Sequence, residues 1–136
     1  MKMLRFAAVI CVLLCFVATG CAKMKENNEL AKKLEPELKP IADQVWKDMI
    51  AGDYAAVTAY FDAQMKAGLP QDTLASTMKS LTEKFGPLQS VEFQGVAIKD
   101  QFAVVFHRVK FEKKTLVGKV VFPIDGEKKV TGFWIN

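Results

Sequence analysis

A chain of 136 residues, 51% hydrophobic and 25% charged, suffices for one small domain with its own core and excludes a multidomain array. Its formal net charge of +4 comes from 19 basic against 15 acidic side chains, and Lys2 and Arg5 alone account for half of it. The remainder is only mildly basic, which excludes the strongly basic face that a nucleic-acid binder needs.

The first segment has three zones. Lys2 and Arg5 form a positive start, Phe6–Ala18 is an uncharged apolar run, and Thr19-Gly20-Cys21 follows. The run falls within the roughly 7–15 residues of a secretory hydrophobic region and short of the ~20 that cross a bilayer. Ala18-Thr19-Gly20-Cys21 resembles a bacterial lipobox, with Ala18 in place of the usual Leu. The resemblance implies a signal peptide over 1–20 and Cys21 as the lipidated N-terminus. It also implies an exported protein anchored to the cell envelope. The site would be the periplasmic face of the outer membrane in a Gram-negative cell, or the outer face of the cytoplasmic membrane in a Gram-positive one. Two or three acyl chains, at about 0.8 kcal/mol per buried methylene, hold a protein on a membrane without a spanning helix. The alternatives are ordinary cleavage near Gly20 and a permanent membrane anchor.

Cys11 and Cys15 lie in the apolar run, so Cys21 is the one cysteine left in 21–136. No internal disulfide, thiolate nucleophile or cysteine metal cluster is expected there. Residues 21–37 are charged and contain Pro36, and are expected to be a flexible, lipid-anchored tether. Extended at ~3.3–3.6 Å per residue, 22–37 would reach about 55 Å.

The domain proper is expected over 38–136. Leu38, Ile41, Ala42, Val45, Trp46, Met49 and Ile50 recur at helical spacing, with Pro40 in the first turn and Gly52 at the stop. Asp53 is expected to cap a second helix to about Lys66, with Val57, Tyr60, Phe61 and Met65 inward. A third begins at Pro70-Gln71-Asp72, buries Leu74, Met78, Leu81 and Phe85, and ends at Gly86-Pro87. Four strands follow, at about 88–98, 102–111, 115–123 and 129–135, with short links that imply antiparallel hairpins. The predicted class is α+β: three N-terminal helices on a curved four-stranded antiparallel sheet.

Gly52-Asp53-Tyr54 and the ending Val130-Thr131-Gly132-Phe133-Trp134-Ile135, with this element order, resemble the nuclear-transport-factor-like superfamily. That group holds ketosteroid isomerases, SnoaL-like cyclases and many small bacterial domains of unknown function. The resemblance implies a cone-shaped cavity between helices and sheet, and pairing of chains through the outer sheet face. Isomerases of the group work with Tyr and Asp. Here Tyr54, Tyr60, Asp53 and Asp62 do not match those positions, and no catalytic residue is carried over.

His107 is the only histidine. It shares strand parity with Ala103, Val105, Val109 and Phe111, so it faces the core or a pocket wall. It is a candidate general base, or simply a hydrogen-bonded core residue. The candidate pocket comprises His107, Trp46, Tyr60, Phe61 and Phe111. No zinc or calcium ligand spacing and no phosphate loop occurs, so no metal and no cofactor is expected. Phe102, Val104 and Phe106 make the second face of their strand apolar as well, which marks it as a contact surface. Lys113, Lys114, Lys128 and Lys129 sit near turns, where solvation explains them and an anionic surface is the alternative. The expected function is a membrane-anchored binding module without catalysis, joined to itself or to an envelope protein through the sheet. The alternatives are a small-molecule sensor and a hydrolase or isomerase using His107.

Overall fold

The computed structural model describes the backbone of residues 2–136 and side chains from Gly20 onward. The expected signal peptide, 1–20, has its side chains outside the described residues, Gly20 excepted. The elements run α1 (Lys2–Ala51), α2 (Tyr54–Ala59), α3 (Ala63–Gly68), α4 (Gln71–Phe85), β1 (Leu88–Lys99), β2 (Phe102–Phe111), β3 (Thr115–Pro123) and β4 (Gly132–Ile135). The class is α+β, with helices packed on a four-stranded antiparallel sheet in the order β1-β2-β3-β4.

Two expectations about the helices change. Residues 22–37 are helix, continuous with the segment predicted to begin at Leu38. The segment expected as a tether is thus helical throughout, with Ala31 and Leu34 buried. Ala31, Leu34, Leu38, Ala42, Val45 and Met49 are all buried and recur every three or four positions, so one apolar stripe carries the helix past Pro36 and Pro40. Each proline lacks an N–H, which leaves the carbonyls of Lys32 and Pro36 without their ladder donors. Packing of Leu34 and Leu38 supplies the order that the ladder loses.

The predicted second helix is two short ones. Asp53 caps α2, accepting from Ala56 N at 3.1 Å, and Asp62 caps α3, accepting from Met65 N at 2.7 Å. A second capping carboxylate restarts the helix where the periodicity alone runs through. The break frees the backbone around Phe61 to pair with Val130. Asp62 N–H donates to the Val130 carbonyl at 2.9 Å, and Val130 N–H donates to that of Tyr60 at 2.8 Å. Val130 thus belongs to this bridge, and β4 starts only at Gly132.

Gly52, at φ +74°, ends α1. Its N–H donates to the Met49 carbonyl and that of Asp53 to the Asp48 carbonyl, the paired closure of a Schellman motif. Gly86, at φ +82°, ends α4 where Glu112 Cβ would lie 2.7 Å from any added Cβ.

In β1, register shifts near Gln89 and Gln94 keep Val91 and Phe93, then Val96 and Ile98, on the helix-facing side despite their change of parity. Such bulges absorb one residue and bend the strand. On β2 the helix-facing row Ala103, Val105, His107, Val109 and Phe111 is at most 1% exposed. Trp46 descends from α1 onto this row and lies over Gly118 of β3, where a Cβ would collide with indole Cζ2 and approach Val109 Cγ2 at 2.9 Å.

The absent side chain at 118 is thus the space that Trp46 occupies. Gly118→Ala is expected to cost about 1–3 kcal/mol by overpacking, measured by urea unfolding.

Candidate functional site

The helix-facing side of the sheet carries one buried polar side chain, His107, at 1% exposure. Its partner comes from α1. Asp43 Oδ1 lies 3.0 Å from His107 Nε2. Asp43 Oδ2 accepts from Lys39 Nζ at 2.5 Å. An ionised carboxylate only accepts, so Nε2 carries the proton and Nδ1 is left as an acceptor. Both carboxylate oxygens are committed.

Aromatic rings close around the pair. Trp46 lies 5.8 Å from the His107 ring, and Phe93 meets it edge-on at 5.8 Å. Lys39 Nζ also stands 5.1 Å above the Phe93 ring, a cation–π placement. A cavity of about 270 Å³ opens between α1, β1 and β2, bounded by Lys39, Asp43, Trp46, Lys47, Phe93 and His107 among others. Two buried polar atoms of these walls, Trp46 Nε1 and His107 Nδ1, have no hydrogen-bond partner among the described residues.

Burial pushes His107 below its ordinary 6.5 and outweighs the pull of Asp43 in the other direction. The imidazole is therefore neutral at neutral pH. For Asp43, burial acts upward, but the hydrogen bonds from Lys39 and His107 prevail and hold it below 3.8.

Of the residues expected in a pocket, His107 and Trp46 meet here. Phe61 is a core residue against Phe133, at 6.4 Å between rings. Phe111 is a core residue against Phe85, at 6.1 Å. Tyr60 is partly buried at the α2–α3 break, beside the Val130 bridge. None of these three lines the cavity. Asp43 and Lys39 were not singled out from the sequence. Their signal is the i, i+4 pair on the edge of the α1 stripe, one turn before Trp46.

A second and larger concavity, about 590 Å³, lies on the opposite face of the sheet. Phe102 and Trp134 are 42% and 55% exposed there, beside Val104, Phe106, Val121 and Lys119. Gly132 leaves room for the Trp134 ring to lie over it. Among the turn lysines, Lys114 stands 5.3 Å over the Phe85 ring. Lys128 donates to the carbonyls of Pro123 and Ile124, and Lys129 pairs with Glu127 at 3.8 Å. Local partners thus occupy three of the four. Cys21 is exposed and unpaired. Among the described residues, no helix is long and apolar enough to cross a membrane, and no cluster of three or more metal-ligating acidic, His or Cys side chains occurs.

A family described as a protein of unknown function (DUF3887) matches residues 42–133. That span begins one residue before Asp43 and contains the dyad, Trp46 and both sheet faces. No curated protein and no solved structure matches the chain.

Two outcomes follow from the dyad. Asp43→Ala leaves the buried His107 Nε2–H unpaired and is expected to cost about 1–3 kcal/mol in urea unfolding, with Asp43→Asn costing less. Because the folded His107 lies below 6.5, the unfolded chain binds the extra proton first. Stability is therefore level above 6.5 and falls as pH drops through 6.5 toward the folded value. Thermal melts over this window show that slope, and His107→Gln removes it.

Proposed function

The chain belongs to the DUF3887 family, and we propose that it is a cell-envelope lipoprotein, anchored through Cys21, whose domain binds protein through the outer face of its sheet. The observation that carries the binding role is the exposed apolar concavity around Phe102 and Trp134. Monomeric domains seldom leave large apolar patches in water, and an exposed Trp beside Phe is the composition of an interface anchor. A second copy of the chain, or an envelope protein, is the occupant. The lipobox-like Ala18-Thr19-Gly20-Cys21 and the exposed position of Cys21 support the anchor.

The domain is also proposed to be a nuclear-transport-factor-like cone. Helices followed by a four-stranded antiparallel meander, with the helices on one face, support that reading. A cavity between α1 and the sheet supports it as well. Catalysis by His107 is the weaker alternative. Asp43 orients the ring as a base would require, but its one free nitrogen is buried, out of reach of a substrate.

Two measurements test this. Cells fed a fatty-acid analogue label the wild-type protein and not Cys21→Ala; equal labelling refutes the anchor. A photo-crosslinking residue at position 134 gives adducts in intact cells, whereas one at exposed Lys79 on α4 does not. Equal yields at both positions refute the sheet-face interface.

A further inference from the structure

The cavity on the helix side has a chemistry of its own. It lies across the sheet from the proposed protein interface and is independent of it. Its polar rim contains two ammonium groups, Lys39 and Lys47, and one carboxylate, Asp43. Asp43 accepts from Lys39 with one oxygen and from His107 with the other, so its charge is already paired with that of Lys39. Lys39 keeps further N–H donors beyond its bond to Asp43. Lys47 is exposed and has no ion-pair partner among the described residues. Asp48, its neighbour in sequence, accepts from Gln44 Nε2 at 2.9 Å and takes no part in the lining.

With His107 neutral, the rim carries one excess positive charge. The opposite walls are apolar: Phe93, Trp46, Val91 and Ile50. A volume near 270 Å³ is just below the range of about 300–1,000 Å³ typical of drug-sized ligands.

We propose that this cavity binds a small organic monocarboxylate, with its carboxylate at Lys39 and Lys47 and its apolar body against Phe93 and Trp46. Charge decides the class. One net positive charge matches a monoanion and leaves a dianionic phosphate half compensated. A cation would meet two ammoniums and a carboxylate already neutralised. Size excludes a long acyl chain, and the aromatic walls suit a flat or short branched body.

The chain has two tryptophans, one on each side of the sheet, which gives an internal control. The ¹⁵N-labelled full-length chain in detergent is titrated with sodium benzoate, benzamide and benzylamine. The two indole N–H resonances are assigned with Trp134→Phe. Benzoate is expected to move the Trp46 resonance saturably and leave Trp134 in place. Benzamide and benzylamine bind at least several-fold more weakly. Lys47→Ala, an exposed substitution that leaves the core untouched, weakens benzoate about 2- to 5-fold, as loss of one partly solvated charge does. The proposal is overturned if the Trp46 shift does not saturate, if Trp134 alone responds, or if the amide or amine binds as well as the acid. Unchanged benzoate affinity in Lys47→Ala overturns it too. A failure here leaves the crosslinking result at position 134 untouched.

Discussion

The seating of Trp46 between α1 and the sheet is the contact on which the other features depend. The ring lies over Gly118, 5.8 Å from His107 and 5.1 Å from Phe133. It therefore touches both central strands and the last one at once. Its bulk sets the gap between helix and sheet, and that gap determines the reach from Asp43 to His107. A large aromatic in a close-packed interior leaves no slack for a neighbour to gain a methyl group. The polar pair and the ring thus stabilise each other's positions, since moving either would strand a polar atom or open a void.

The two sides of β2 share one strand and obey opposite rules. On the helix side the single polar residue is sealed and answered by a carboxylate. On the other side Phe102, Val104 and Phe106 remain uncovered while Arg108 and Lys110 face water. Strand periodicity forces this division, because consecutive side chains must go to different environments. A small domain can therefore carry a helix-side cavity and an apolar outer face only a strand's thickness apart, with little contact between the two.

The strands were largely legible in the sequence. Phe102–Phe111 and Thr115–Pro123 match their expected bounds, because turn residues bracket runs of Val and Phe. The parity of His107 with Val105 and Val109 placed it inward. The helices were less legible. Pro40 reads as a first-turn residue and Pro36 as part of a tether, yet Ala31 and Leu34 already continue the stripe of Leu38 and Ala42, and tertiary packing outweighed the proline penalty. Asp62 reads as one more helical residue until its carboxylate is seen to cap Met65. Asp43 could be placed on α1 but not paired. Its partner is 64 positions away, and no local pattern encodes a contact that depends on how a helix lies across a sheet.

The prolines inside α1 give that helix two thermodynamic regimes. From Leu38 onward its residues are locked into the core and open only with the whole domain. From Gly20 to Glu29 the side chains are exposed apart from the half-buried Asn27, and the ladder is broken just beyond, at the Lys32 and Pro36 carbonyls. A solitary exposed helix of that length is marginal in water, so this part opens at little cost, as low-stability units do. Closed, the stretch from Cys21 to Leu34 is a strut of about 20 Å at ~1.5 Å per residue. Opened, it is a far longer cord. The distance between Cys21 and the domain is therefore set by a local melting equilibrium that leaves the fold itself intact.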